Sequence, residues 1–326
     1  MRIAVLDDYQ DAVRGLSCFR LLDGHEVAVL VRAADPEELA DVEALVPIRE
    51  RTRIDEALLA RLPRLRLVSQ TGRVGPHLDL GACTARGVAV AEGVGAPVAT
   101  AELTWALVLA GARRLTQYAA ALHAGEWQRN GLEDVDGGLG FALEGRTLGI
   151  LGLGRIGSRV AAFGRAFGMD VLVWGRERSR AAAAEAGFAT AASAEDVLAR
   201  ADVASLHLRL SEETRGIVSL AALRTMKPTA LLVNTARAAL VEPGALAAAL
   251  EQGRPGAAAV DVFDAEPAVD DTLLQLPNVV ATPHVGFVER DAYERMFEAA
   301  FRNVLRFAAG DASVVVNPEA LDRGER

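Results

Sequence analysis

Lysine is nearly absent from this sequence. The 326-residue chain has 35 basic residues, and of these only Lys227 is a lysine. The others are scattered arginines that form no run or stripe, and 44 acidic residues bring the net charge to −9. A nucleic-acid surface needs clustered cations facing phosphates, so no nucleic-acid partner is expected. Cysteine is almost as scarce. Cys18 and Cys83 stand far apart with no histidine cluster beside them, which argues against a disulfide framework or a zinc site. Long apolar runs are missing too. The longest, Leu103 to Ala112, is interrupted by Thr104 and falls short of the ~20 residues a bilayer span needs. The first residues, Arg2-Ile-Ala-Val-Leu6, read as a buried strand and not as a leader. These absences predict a soluble cytoplasmic protein with no membrane partner. The length suggests about two domains, each able to bury a core without cross-links.

What is present is alternation. Short β-branched runs and segments of helical period follow one another, the pattern of βα repeats around a parallel sheet. A first series of runs lies at Ile3–Leu6, Val27–Val31, Leu65–Ser69 and Val88–Ala91. A second series lies at Thr147–Leu151, Asp170–Trp174, Val203–Leu208, Ala230–Asn234, Ala258–Phe263 and Val279–Thr282, six strands in all. Six strands with helices between them complete a doubly wound sheet. One helical pattern, about Thr100 to Ala124, leads into the second series, and another, about Glu289 to Ala309, leads out. This arrangement predicts a nucleotide-binding domain over residues 100–286, inserted in a discontinuous domain made of 1–99 and 287–326.

The most specific local feature is Thr147-Leu-Gly-Ile-Leu-Gly-Leu-Gly-Arg-Ile-Gly157, where an apolar strand runs into a helix expected over Ser158 to Phe167. In that context Gly152 allows a tight turn, Gly154 admits a pyrophosphate against the backbone, and Gly157 lets helix and strand pack closely. The amides of Arg155 and Ile156 then face the phosphates from the helix start. A purely structural glycine turn is the alternative. The next strand ends Val173-Trp-Gly-Arg-Glu-Arg-Ser179, with Gly175 where an NAD enzyme usually carries the acid that binds the ribose hydroxyls. Arg176 beside it supplies charge for a 2′-phosphate, with Arg178 and Ser179 as further donors. Glu177 weakens that reading without reversing it, so NADP(H) is favoured over NAD(H).

Three polar residues occur at successive strand ends of the second series: Arg237 in Asn234-Thr-Ala-Arg237, Glu266 in Asp261-Val-Phe-Asp-Ala-Glu-Pro267, and His284 in Thr282-Pro-His-Val-Gly286. Open α/β sheets bind ligands outside the carboxyl ends of their strands, where such residues converge. Taken singly, each has a bland alternative: a solvated arginine, a loop glutamate or a core histidine. Taken in this order, with the LGLGRIG turn and the closing Val315-Val-Asn-Pro-Glu-Ala-Leu321, the sequence resembles the D-isomer-specific 2-hydroxyacid dehydrogenases over nearly its whole length.

The resemblance implies a Rossmann cofactor domain inserted in a flavodoxin-like substrate domain. It implies hydride transfer between a nicotinamide cofactor and a small 2-oxo or D-2-hydroxy acid, of glyoxylate or hydroxypyruvate type. Arg237 would bind the oxo and carboxylate groups with its forked, permanent charge. His284 would give and take the proton, and Glu266 would orient its ring and favour its protonated form. Asp261 would accept the nicotinamide carboxamide, Thr214 and Thr235 would join the cofactor contacts, and Gly72 and Arg73 would grip the substrate carboxylate. Arg73, Arg209, Ala238 and Glu242 depart from common family residues. Arg73 either grips a second anionic group or faces solvent. Glu266, where formate dehydrogenases carry glutamine, argues against formate oxidation, and no regulatory domain is expected after Pro318. His207 is expected to serve packing or hydrogen bonding near the cofactor, with His25 and His123 at the surface. A homodimer is expected, with the 100–124 helical segment as its interface. The rival reading is a cofactor-sensing binding protein of corepressor type without significant turnover.

Overall fold

A computed structural model describes residues 1–133 and 138–323. The chain forms two compact units, Met1–Ala96 with Val288–Arg326, and Pro97–Phe287.

The first unit is built on a parallel sheet of five strands: β1 (Arg2–Leu6), β2 (Glu26–Val29), β3 (Ala44–Pro47), β4 (Leu67–Ser69) and β5 (Ala89–Ala91). Their order, β2-β1-β3-β4-β5, is that of the flavodoxin-like doubly wound fold. Central β3 was not among the expected strands. It is a four-residue run ending in proline, which normally argues against a central strand, yet all four of its residues are buried. The returning segment completes this unit through the helix Arg290–Ala308, which turns Tyr293, Phe297 and Phe301 inward. Glu289 caps that helix by accepting the Ala292 amide at 2.8 Å. Ser69 Oγ donates to the Ala300 carbonyl at 2.8 Å and Asn303 Nδ2 to the Glu92 carbonyl at 3.0 Å, so the helix is bonded to the strand ends as well as packed on them.

The second unit carries seven parallel strands: β6 (Thr147–Leu151), β7 (Asp170–Trp174), β8 (Ala189–Thr190), β9 (Val203–Leu206), β10 (Leu231–Asn234), β11 (Ala257–Val260) and β12 (Val279–Ala281). The order β12-β11-β10-β9-β6-β7-β8 is the Rossmann order with a seventh strand added. The added strand is β12; the one not expected is β8, a two-residue exposed edge strand with no apolar pattern to betray it. Both faces of the sheet are covered, as a parallel sheet requires. Leu231 and Val233 of β10 pack with Trp105 and Val108 on one side, while Leu232 joins Val197, Leu223 and Leu246 on the other.

The single helix expected over 100–124 is two helices, Pro97–Arg113 and Leu115–His123. Arg114 divides them in a left-handed conformation (φ 55°), which ends the first helix without a glycine to announce it. The first helix buries Trp105, Leu107, Val108 and Ala112, whereas the second buries nothing and leaves Leu115 52% and Leu122 57% exposed. Among the described residues no helix is long and apolar enough to cross a membrane.

Asp202 ties the amino ends of three strands together. Its carboxylate accepts the Thr147 amide at 2.9 Å and Lys227 Nζ at 2.9 Å, with Arg146 at 3.5 Å, while its carbonyl accepts the Leu231 amide at 2.9 Å. Burial pushes the Asp202 carboxyl up, but the Lys227 hydrogen bond, the Thr147 amide and the two cations outweigh it and hold the group below its ordinary value. A carboxyl lowered on folding stabilises the protein above its unfolded value and loses that contribution as pH falls through the folded one. Asp202→Asn should therefore cost about 1.5–3 kcal/mol at neutral pH. The difference from the parent should shrink below about pH 4. Thermal melts at pH 7 and pH 3 check this, and a gap that stays constant between them would sink it.

Candidate active site

The glycine turn lies between β6 and the helix Gly157–Ala166. Two of its glycines are required by the protein itself. Gly152 has φ 100°, and a Cβ there would come within 2.9 Å of the His207 backbone; at Gly157 a Cβ would collide with the Gly152 carbonyl. Gly154 differs, because a Cβ there would meet nothing within 4 Å. The open space above Gly154 is the room a pyrophosphate needs against the backbone. The first helical bond runs from the Ser158 amide to the Gly154 carbonyl at 2.9 Å, so the amides of Arg155, Ile156 and Gly157 stand ahead of the helical ladder. The turn thus fits a dinucleotide. Gly154→Val should fold with an unchanged melting temperature yet bind the cofactor about 100-fold more weakly, ~2.7 kcal/mol. Calorimetric titration tests this, and unaltered affinity would remove the turn from the cofactor site.

His207 lies partly buried beneath this turn. Its Nε2 lies 2.9 Å from Ser205 Oγ, its amide donates to the Leu151 carbonyl, and burial brings its pKa down to about 3. It therefore packs as a neutral ring. At the end of β7, a Cβ on Gly175 would lie 2.9 Å from Ser179 Cβ, which leaves little room for an acidic side chain. Arg176 is three-quarters exposed and pairs with Glu213 at 2.7 Å. An ion pair this exposed contributes little and is readily exchanged for a better anion.

The end of β10 positions Arg237. The buried Asn234 side chain folds the loop over itself by accepting the Ala236 amide at 3.0 Å and donating to the Arg237 carbonyl at 2.9 Å. Thr235 points inward, its hydroxyl 2.7 Å from that of Thr104. Thr104 gives its own proton to the Thr100 carbonyl at 2.7 Å, so Thr235 is the donor in that pair. Thr214 likewise turns into its own loop, accepting the Ser211 amide at 2.8 Å and donating to the Arg209 carbonyl at 2.7 Å.

The loops after β11 and β12 bring Glu266 and His284 together. His284 Nδ1 lies 2.7 Å from Glu266 Oε2, and Glu266 Oε1 accepts the Phe263 amide at 3.1 Å. Burial raises the Glu266 carboxyl, but the hydrogen bond and charge of His284, the Phe263 amide and the Arg237 charge prevail and hold it below its ordinary value. Glu266 therefore stays an anion at neutral pH, and Arg237 is near enough to contribute to that. With Nδ1 engaged, Nε2 is the ring nitrogen left to exchange a proton.

Asp261, expected to accept the cofactor carboxamide, is buried at the end of β11 and already engaged within the protein. Its oxygens instead accept Thr282 Oγ1 at 2.7 Å, the Val285 amide at 2.8 Å and the Gly286 amide at 2.8 Å.

In the first unit, Gly72 and Arg73 lie just past β4, between backbone bonds from Gln70 to Ala91 (2.9 Å) and from Gly93 to Gly72 (2.8 Å). Arg73 is exposed. Sequence reasoning missed Arg49, whose guanidinium lies where a Cβ on Gly72 would be. Arg49 is held in a left-handed conformation (φ 54°), its amide donating to Thr71 Oγ1 at 2.9 Å and its carbonyl accepting Gln70 Nε2 at 2.6 Å. It follows β3, so a reader who misses that strand also misses the residue at its end. His77, which also escaped notice, has Nε2 2.9 Å from the same Gln70 Nε2.

A Rossmann sheet with a ligand-ready glycine turn, and a histidine–carboxylate pair with an arginine on neighbouring strand-end loops, define a nicotinamide-dependent oxidoreductase. Comparison with known proteins narrows the class. The family described as D-isomer specific 2-hydroxyacid dehydrogenase, NAD binding domain, matches residues 105–286. A glyoxylate reductase from Aeropyrum pernix is 44% identical over 262 residues, 79% of this chain and 78% of that protein. The solved structure of an oxidoreductase from Ralstonia solanacearum is 54% identical, covers 98% of both chains and has a TM-score of 0.96. A phosphoglycerate oxidoreductase from Vibrio cholerae is 53% identical over 95% of this chain and 99% of that one, with a TM-score of 0.91. The chain belongs to the D-isomer-specific 2-hydroxyacid dehydrogenases. It is an NAD(P)-dependent enzyme acting between 2-oxo and 2-hydroxy acids, and these relatives do not favour the sensing alternative.

Proposed function

We propose that this enzyme reduces a small 2-oxo acid of glyoxylate or hydroxypyruvate type, using NADP(H) in preference to NAD(H). The observation that carries the reading is the 2.7 Å pair of His284 Nδ1 and Glu266 Oε2. Glu266 fixes the ring through Nδ1, so that Nε2 delivers a proton to the substrate oxygen as the carbonyl is reduced. Arg237 holds the carboxylate and polarises the oxo group, as a planar fork of donors can. The nicotinamide supplies the hydride when bound. Gly152, Gly154, Arg155, Ile156 and Gly157 cradle the diphosphate, with Thr214 and Thr235 shaping the adjoining loops. Arg176 exchanges Glu213 for the 2′-phosphate, a stronger charge-assisted contact. Gly72 and Arg73 hold the substrate carboxylate, with the Arg49 guanidinium beside Gly72. The same reading has the enzyme in the cytoplasm as a homodimer, the exposed Leu115 and Leu122 facing a second copy. A monomer mass in light scattering overturns the dimer.

The test is initial-rate loss of NADPH, with NADH in parallel, against glyoxylate, hydroxypyruvate, pyruvate, a phosphorylated 2-oxo acid and bulkier acids. Turnover with glyoxylate or hydroxypyruvate and a preference for NADPH is the expected result. Preference for the phosphorylated acid would move the substrate assignment, preference for NADH would remove the Arg176 argument, and bound cofactor with no turnover would restore the sensing reading.

A further inference from the structure

The backbone of the proton donor is strained. His284 has φ 52°, in the left-handed region that residues other than glycine adopt uncommonly and at some cost. The observation to explain is what holds it there. Glu266 bonds the ring and leaves the backbone unconstrained. The His284 amide donates to the Thr282 carbonyl at 3.0 Å, which tightens the turn but leaves its position relative to the sheet undetermined.

The group that spans the turn is Asp261. It directly follows β11, and its amide donates to the Asn234 carbonyl on β10 at 3.0 Å, so its own backbone belongs to the sheet. From this rigid base its carboxylate reaches both sides of His284. Oδ1 takes the Thr282 hydroxyl before it and the Val285 amide after it, and Oδ2 takes the Gly286 amide. Close approach is part of the design, since a Cβ on Gly286 would lie 3.0 Å from Oδ2. Three donors to one buried carboxylate fix the two peptide units that follow the left-handed residue. Without those acceptors, the Val285 and Gly286 amides would turn to other partners and the ring would leave Glu266.

We propose that Asp261 is the positioning residue of the proton donor, its carboxylate holding His284 in the left-handed conformation that sets Nδ1 on Glu266. The inference rests on His284 being the proton donor proposed above. It differs in kind from a cofactor contact, because Asp261 acts through the loop and has no surface of its own.

A double-mutant cycle on the full-length enzyme separates these possibilities. Asp261→Asn keeps one carbonyl oxygen but sets an NH2 group against an amide donor. It should lower kcat at least tenfold, leave the cofactor dissociation constant within a factor of two, and speed hydrogen exchange at the Val285 and Gly286 amides. In the His284→Ala background the same substitution should cost almost nothing further, because the residue it positions is gone. Thr282→Val removes only one of the three donors and should lower kcat in the same direction by a smaller factor, which covers the case in which Asp261→Asn does not fold. A weaker cofactor complex in both backgrounds, or full additivity of the two substitutions, overturns the assignment. An active His284→Ala enzyme overturns the proton-donor reading instead, so the two failures are distinguishable.

Discussion

His284→Ala lowers kcat for 2-oxo acid reduction by about 10²–10⁴-fold, the range of a positioned general acid, and leaves cofactor binding intact. The separation is expected because His284 stands on the loop after β12, whereas the glycine turn proposed to admit the cofactor follows β6. Glu266→Gln is the informative partner. It preserves a hydrogen-bonding group at 2.7 Å from Nδ1 but removes the anion that the structure holds well ionised at neutral pH. With the ring held less firmly, kcat should fall in both directions while cofactor affinity stays unchanged. Steady-state rates in both directions, with cofactor titration by fluorescence, check both variants. If His284→Ala lost the cofactor instead, His284 would belong to the cofactor site.

Arg237→Ala should lower kcat/KM by a further large factor. Removing one member of a hydrogen-bonded charge pair in a site costs about 2–5 kcal/mol, or roughly 30- to 5,000-fold. Arg237→Lys keeps the charge but loses the planar fork, and should recover only part of the activity. The arginine also helps to keep Glu266 ionised. Its loss should therefore change the pH profile as well as substrate affinity, which a pure binding residue would not do. Free guanidinium added to the alanine variant should restore some turnover. An unchanged kcat/KM would show that the carboxylate is held elsewhere.

Much of this could be read from the residues, where the physics is local. Short β-branched runs and segments of helical period marked strands and helices, and a glycine turn in strand–helix context marked the proposed cofactor cradle. What escaped depends on chain positions that only folding brings together. Nothing in Ala44-Leu-Val-Pro47 announces a central strand, and Arg49 at its end was lost with it. Arg114 breaks a helix through its own conformation, with no glycine or proline as a signal. The resemblance assigned Asp261 to the cofactor carboxamide, whereas the donors it meets within the protein are mostly backbone amides, which are the same at every position of a sequence.

The ion pair of Lys227 with Asp202 has a practical side. It places the chain's one ε-amino group at the amino end of β10, on the opposite edge of the sheet from the strand ends that carry Arg237, Glu266 and His284. Once the amino-terminal α-amine is blocked, amine-directed tethering of the enzyme through the lysine side chain thus has a single address, with the edge that carries Arg237, Glu266 and His284 outward. The reagent matters. An imidoester keeps the positive charge and with it the bond to Asp202, while an acylating ester neutralises the amine and removes one of the contacts that bind three strands together.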